Sequence, residues 1–510
     1  MQTAPEACLI RRRLTDASPL SRQRVAFIAV VTALALASIV ASVAHPLVCP
    51  VGEGCPPASF VSGLPPPLVV GALWVLVMAL AFATRRLPAS EGRALLVPRP
   101  ATVLVAAGLG VGIALVAAHA FLLSPLDSKL LCATPVHLGA GLGYSVNCDS
   151  AEFVRDAAKP SRLLTSHNIR QSRPLEIAIA AGLARTVGRV AFATPLPSLY
   201  KMATREYVAY VLLNLAIAAA AIALLLRIVP FRQVPVAAVA TAVWMAFDDV
   251  MKAFVWTPHS QIFNLLVPLV AIAVARAVLV DPRLRRPLAL GGIGLGLGTL
   301  SLAYGSFLVA GAATGVALLL AARHQQTATR TAAGAAALAV GFALPNVLWI
   351  GLCIAVAGSF YSSETTKYWE FVWVVKTAAQ GLSQFASYWW SMTVLTLWAT
   401  LPTVGAVAIA TLVAWLVAIV TGTRVAAAQV ATMIASLLVL GLSVIFLELL
   451  GYYQSRLSYM LVPILLVMLV GLVAAVKDRR RHLGTALEGL IVLAAVVNAL
   501  VLVLRHGPYS

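Results

Sequence analysis

Three carboxylates stand within eight residues of one another in Cys148-Asp149-Ser150-Ala151-Glu152-Phe153-Val154-Arg155-Asp156-Ala157. Asp149, Glu152 and Asp156 are spaced i, i+3 and i+7, so a helix here aligns them on one face. Asp149 suits the N-terminal end of that helix, where the dipole favours an anion. A carboxylate so placed can take a proton from an attacking hydroxyl, which is general-base chemistry. Downstream, Ser166-His167-Asn168-Ile169-Arg170-Gln171-Ser172-Arg173-Pro174 is dense in polar donors, with His167 and Arg173 as candidate ligands for a substrate.

Two later stretches carry further candidates. Asp248 and Asp249 precede His259, and adjacent carboxylates followed by a histidine can bind a divalent cation or position an acceptor hydroxyl. The competing account is a solvated turn in which Asp caps a helix. Tyr453 and Arg456 lie in Gly451-Tyr452-Tyr453-Gln454-Ser455-Arg456, where a guanidinium at a membrane boundary can hold a phosphate through paired hydrogen bonds. Snorkelling to lipid headgroups is the alternative for Arg456. Glu364, Lys367, Tyr368, Trp369, Glu370, Trp373 and Tyr388-Trp389-Trp390 read first as an interfacial aromatic belt and second as sugar-stacking surfaces. CxxC and HExxH do not occur, so no metal ligands are assigned.

The elements that must position these groups are membrane helices. The chain has 510 residues, 61% hydrophobic and 11% charged, against about a quarter charged in soluble domains. Apolar runs predict thirteen spans, at 25–48, 66–84, 100–123, 206–229, 233–247, 260–280, 287–303, 306–322, 331–357, 395–421, 425–449, 457–476 and 484–504. The first reads as a retained span, since its apolar run is long and others follow at once. The fold class is an all-α polytopic membrane protein with external juxtamembrane helices. Residues 1–123 form a cytoplasmic tail and three spans, 124–205 a large external loop, and 206–510 the remaining bundle. Leu175–Ala193, apolar but carrying Arg185 and Arg189, reads as a helix lying in the outer interface. The Gly-rich run 291–298 reads as close helix packing and not as a nucleotide loop.

The net charge of +19 follows the sidedness of the spans better than it follows nucleic acid binding. Arg11–Arg13, Arg85–Arg86, Arg283 with Arg285–Arg286, and Lys477 with Arg479–Arg481 all fall on one side, which the positive-inside rule makes cytoplasmic. The N-terminus is then cytoplasmic, the C-terminus external, and most acidic residues external. Cys49 with Cys55 and Cys132 with Cys148 fall on the oxidising side and fit two disulfides, while Cys8 and Cys353 read as free thiols.

Asp149-Ser150-Ala151-Glu152-Phe153, followed by Arg173-Pro174-Leu175, resembles the first external loop of polyprenyl-phosphate-sugar-dependent glycosyltransferases of the GT-C superfamily. In that family an Asp-Ser-x-Glu-Tyr-like stretch opens a juxtamembrane helix, and the leading Asp is the catalytic-base candidate. The stretch around Tyr453, Arg456 and Pro463 is similar to a late motif that contacts the donor phosphate. The resemblance implies a GT-C-like bundle in the plasma membrane, with Asp149 as base and Glu152 as its neighbour. Its partners are a polyprenyl-phosphate-linked sugar donor, a glycan or lipid acceptor and membrane lipids, with no nucleic acid. Two departures are evident: two spans precede the one feeding the loop, where one is usual, and residue 153 is Phe. The rival functions are a multi-span transporter or glycolipid flippase, and an assembly protein without chemistry.

Overall fold

The computed structural model describes residues 133–139, 142–147, 149–190, 204–255, 257–322, 328–362, 365–366, 370–423, 425–451 and 454–504. The expected spans 25–48, 66–84 and 100–123 lie outside the described residues, as do Cys8, Cys49, Cys55, Cys132 and Cys148.

The first described element is an antiparallel hairpin, β1 (Ala133–Gly139) and β2 (Leu142–Asn147), running from the Ala133–Asn147 pair to Gly139–Leu142 with an irregularity at His137/Gly139. The all-α expectation had no strands here. Pro135 argues against an interior strand, but both strands of a two-stranded ribbon are edges, where proline is tolerated. Two helices follow the hairpin: α1 (Ser150–Ala158) and α2 (Pro174–Val190). The latter coincides with the expected juxtamembrane helix.

From residue 204 onward the chain is a helical bundle. The long helices are α3 (Thr204–Ile228), α6 (Phe263–Val280), α9 (Ala328–Ala357), α11 (Leu382–Val420), α12 (Ala427–Leu450), α14 (Leu461–Arg479) and α15 (Arg481–Leu504). These seven are long and apolar enough to cross a membrane. Three shorter apolar helices, α4 (Pro235–Ala246), α7 (Pro287–Ser301) and α8 (Phe307–Ala322), match the expected spans 233–247, 287–303 and 306–322. At 12, 15 and 16 residues they fall short of the ~20 that a 30 Å hydrocarbon core asks of one helix. Small helices α5 (Asp249–Phe254), α10 (Val372–Gln380) and α13 (Gln454–Leu457) fill the connections.

One expected boundary moves. The span placed at 395–421 begins at Leu382, after Gly381 (φ 121°), so Tyr388-Trp389-Trp390 are helical and not part of a loop. The aromatic and polar residues lower the local hydropathy, and the apolar window therefore misses the first turns. Trp373 of α10 is buried against Phe385, Tyr388 and Trp389 with centroid distances of 6.4, 5.1 and 5.9 Å, and its indole N–H donates to the Leu449 carbonyl (2.9 Å). Trp373, Phe385, Tyr388 and Trp389 thus pack together, while Trp390 faces outward from the bundle.

Helices α7 and α9 make the tightest crossing. A Cβ at Gly294 would collide with the Leu338 carbonyl oxygen, one at Gly298 with that of Phe342, and one at Gly341 with that of Gly291. The glycine run thus serves backbone-to-backbone packing, the arrangement favoured where lipid removes the hydrophobic drive between helices.

Contacts sort the helix ends into two sets. At one end Tyr210, early in α3, donates its hydroxyl to the Phe153 carbonyl (3.4 Å). There too Leu302, past α7, accepts from the Leu175 N–H (3.2 Å), and Tyr361, past α9, donates its N–H to Gln171 Oε1 (2.7 Å). At the other end Arg479 donates to the Gly422 carbonyl (2.6 Å), and Gln429 to Gln233 (2.6 Å). Following α12 and α14 between these ends puts Arg456 at the end that carries Asp149 and puts Arg479–Arg481 at the opposite one.

Candidate functional site

Asp149 occupies the N-cap position of α1, yet its side chain makes no capping hydrogen bond. Its backbone N–H is held by Asn147 Oδ1 (2.9 Å). The carboxylate instead faces two groups from distant parts of the chain. Oδ1 is 3.0 Å from Arg170 Nη2, and Oδ2 is 3.7 Å from His259 Nε2. Glu152, one turn on, lies 3.5 Å from the same Arg170 nitrogen. Both acids remain open to solvent, Asp149 with 42% of its side chain exposed.

Phe153 underlies this arrangement. The ring is fully buried, with the Arg170 guanidinium 4.4 Å from its centroid, His259 at 5.4 Å and Tyr210 edge-on at 5.9 Å. Both partners of Asp149 therefore rest on one aromatic platform, with a cation–π contact on the Arg170 side. Asp156 departs from the expected shared face. It turns inward to accept from Arg162 Nε (2.9 Å) and Asn168 Nδ2 (3.1 Å), where it secures the 160–168 turn. The i+7 step falls only about 20° short of two full turns, so it is these two partners and not the helical pitch that separate Asp156 from the other acids.

His259 Nδ1 accepts the Gln261 backbone N–H (3.2 Å), so a neutral imidazole carries its proton on Nε2, the nitrogen that faces Asp149. Burial pushes the histidine down to about 4, leaving it uncharged at neutral pH. The His259 N–H, and with it the Arg170 guanidinium, hold the Asp149 carboxyl well below the usual carboxylate range, against a burial effect of opposite sign. At 3.7 Å the histidine contact is longer than an ordinary hydrogen bond, and Arg170 is the closer partner.

Arg173 Nη1 donates to Ser260 Oγ (2.6 Å) and its guanidinium lies 5.9 Å from the Tyr304 ring centroid. Tyr304 donates to Asn264 Oδ1 (2.8 Å), and Asn264 Nδ2 to Gln261 Oε1 (2.8 Å). The turn bearing His259 is held from beneath by Asn214, whose Nδ2 reaches the carbonyls of Phe254 (2.8 Å) and Thr257 (2.9 Å). On the other flank the Gln171 carbonyl accepts from Trp349 Nε1 (2.7 Å), which fastens the Arg170–Arg173 segment to α9.

Neither protein-family models nor curated proteins give a match to this chain. Asp149, Glu152, Arg173 and His259, all singled out by sequence, come together with Arg170. The others take different places. His167, with φ 60°, is exposed and packs edge-on to Tyr361 at 5.7 Å. Asp248 Oδ1 accepts the Val250 N–H (2.8 Å) and caps α5, as the competing account had it, but it is buried and the turn is not solvated there. Asp249 begins that helix, but its side chain, like all of Tyr453, lies outside the described residues. Arg456 sits half-buried in α13, which packs against α11 and α12 at this same end. Among the described residues no three His, Cys, Asp or Glu side chains converge on a cation position. His259 Nδ1 is taken by an amide and Asp248 caps a helix. Cys353 is a buried free thiol, as expected.

Two contributors escaped the sequence reading. Arg170 was one donor among many in a polar stretch. Glu176, in the first turn of α2, is fully buried with neither carboxyl oxygen hydrogen-bonded among the described residues. Burial raises it to about 8 from 4.5, overriding the opposing pull of Arg173 and Arg170, so it is mostly a neutral acid at pH 7. Because the folded state binds this proton more tightly than the unfolded chain, stability is lost as pH rises from 4.5 towards 8. Glu176→Gln removes that loss, on the order of 3 kcal/mol between pH 4.5 and 7. Thermal midpoints in detergent should then converge at pH 5 and separate at pH 7.5 with the variant higher. Parallel pH dependences would contradict a buried neutral acid.

Proposed function

We propose that this chain is a GT-C-type glycosyltransferase that moves a sugar from a polyprenyl-phosphate donor to an envelope glycan, lipid or protein acceptor. On this reading it makes thirteen passes through the plasma membrane, with a cytoplasmic N-terminus and an extracytoplasmic site. The observation that carries the reading is Asp149, a half-exposed carboxylate withheld from capping its own helix and held between Arg170 and His259. It stands at the bundle end opposite the Arg479–Arg481 cluster.

A sugar carried on a long lipid phosphate presents its phosphate at headgroup depth, while its tail stays in the bilayer. Asp149 takes the acceptor hydroxyl's proton as the oxygen attacks the anomeric carbon. With its proton affinity so low, it accepts late, once bond formation has made the hydroxyl acidic. The sugar–phosphate bond breaks, and the negative charge gained by the leaving phosphate is met by Arg173 or Arg456. A single displacement inverts the anomeric centre.

The test uses the full chain in proteoliposomes with a labelled polyprenyl-phosphate sugar and an oligosaccharide acceptor. The expected result is free polyprenyl phosphate together with an extended glycan. Transbilayer movement of the intact donor, with its sugar–phosphate bond unbroken, would replace this reading with that of a flippase.

A further inference from the structure

Arg170 is the group whose placement the proposed reaction leaves unexplained. Its side chain is 6% exposed, too enclosed to reach far toward a ligand. Its backbone is pinned: the N–H donates to Asn168 Oδ1 (2.7 Å), and Asn168 in turn donates to Asp156 (3.1 Å) and to the Arg162 carbonyl (3.1 Å). The next residue, Gln171, is tied to Trp349 and Tyr361. From that anchored position a single nitrogen, Nη2, meets Asp149 Oδ1 at 3.0 Å and Glu152 Oε2 at 3.5 Å, with the guanidinium plane seated over Phe153. An aspartate at an N-cap ordinarily turns its carboxylate back to the amides of its own helix. Here it does not.

We propose that Arg170 is a positioning residue for the transfer reaction, gathering Asp149 and Glu152 at one guanidinium and holding Asp149 open towards the acceptor. The proposal rests on the glycosyltransferase reading. The charged and titratable groups around Asp149 are Arg170 from the 165–173 segment, His259 from the turn after α5, and Glu152 from its own helix. Behind them stand Arg173 and Glu176, while Asp156 is occupied by Arg162. His259 is neutral and Glu152 is itself an acid, so Arg170 is the cation in direct contact with Asp149. Its loss raises the proton affinity of that carboxyl.

Arg170→Gln and Arg170→Lys in proteoliposomes provide the experiment. Arg170→Gln should lower kcat about 100-fold, the scale of a misplaced reacting group, with the donor KM changed less than about threefold. Its acid limb of kcat should move towards neutral pH. Arg170→Lys should return the acid limb to the wild-type position while kcat recovers only in part, because a lysine stem is flexible and lacks the flat guanidinium that rests on Phe153. A readout independent of transfer is the infrared titration of the carboxyl band that Asp149→Asn removes, which should move to higher pH in Arg170→Gln. If the wild type transfers no sugar but this band still moves, the glycosyltransferase reading fails and the clamp stands. If transfer proceeds and neither the acid limb nor the band moves, the clamp fails. If neither variant folds, Arg170 is a structural staple and the proposal is overturned.

Discussion

Asp149→Asn is expected to reduce sugar transfer by about 10²–10⁴-fold while leaving the protein folded, the range general-base catalysis contributes. Asn has the same shape and keeps one oxygen for Arg170 Nη2, which now lies 3.0 Å from the carboxylate. The fold near residue 149 rests on other groups: the Asn147 hold on its amide, the buried Phe153 and the Asp156–Arg162 pair. What disappears is the negative charge and the ability to take a proton. Initial rates in proteoliposomes, with donor saturating, measure the effect. A loss below tenfold in a well-folded variant would end the base assignment, and a normal thermal midpoint separates lost chemistry from lost structure.

The second large effect lies away from the chemistry. Gly298→Val is expected to remove most of the folded, monodisperse protein recovered in detergent. A side chain at this position meets the Phe342 backbone directly, and backbone cannot turn aside as the end of a flexible side chain does. Overpacking of this kind costs about 1–3 kcal/mol, and separating the α7–α9 crossing loses its dispersion contacts as well. The damage extends to the site. The residue after α7, Leu302, receives the Leu175 N–H, and α9 supplies Trp349 to Gln171. The Gln171 and Leu175 attachments, in and just after the Arg170–Arg173 segment, depend on the crossing. The same helix provides the control, because a Cβ at Gly296 meets nothing within 4 Å. Equal behaviour of Gly296→Val and Gly298→Val in size-exclusion profiles would show that the crossing is not what holds these helices.

Much of the bundle was legible because apolar runs translate almost directly into helices, and all ten expected spans from residue 206 onward coincide with one. The glycine run at 291–298 was readable for a related reason: in an apolar helix, glycine has little use except close approach. Asp149 and His259 were each visible as chemistry-bearing residues, but their pairing was not, since 110 positions separate them and only the tertiary fold brings them together. Phe153 looked like a departure from a motif. Its position beneath Arg170 and His259 explains the need for a large flat apolar ring there. Glu176 was hidden by the rule that acids seek water. Its helix packs against α3, a tertiary contact that no local pattern announces. Asp248 was ambiguous in sequence because the same side chain that binds ligands also caps helices.

Helix α11 runs unbroken for 39 residues. At 1.5 Å per residue it is roughly 58 Å long, nearly twice the thickness of a hydrocarbon core. Its first turns, braced by Trp373 through Phe385 and Trp389, stand at the Asp149 end as a stiff post. In the bilayer of the proposed reading, a helix of that length must tilt steeply or project beyond the hydrocarbon core.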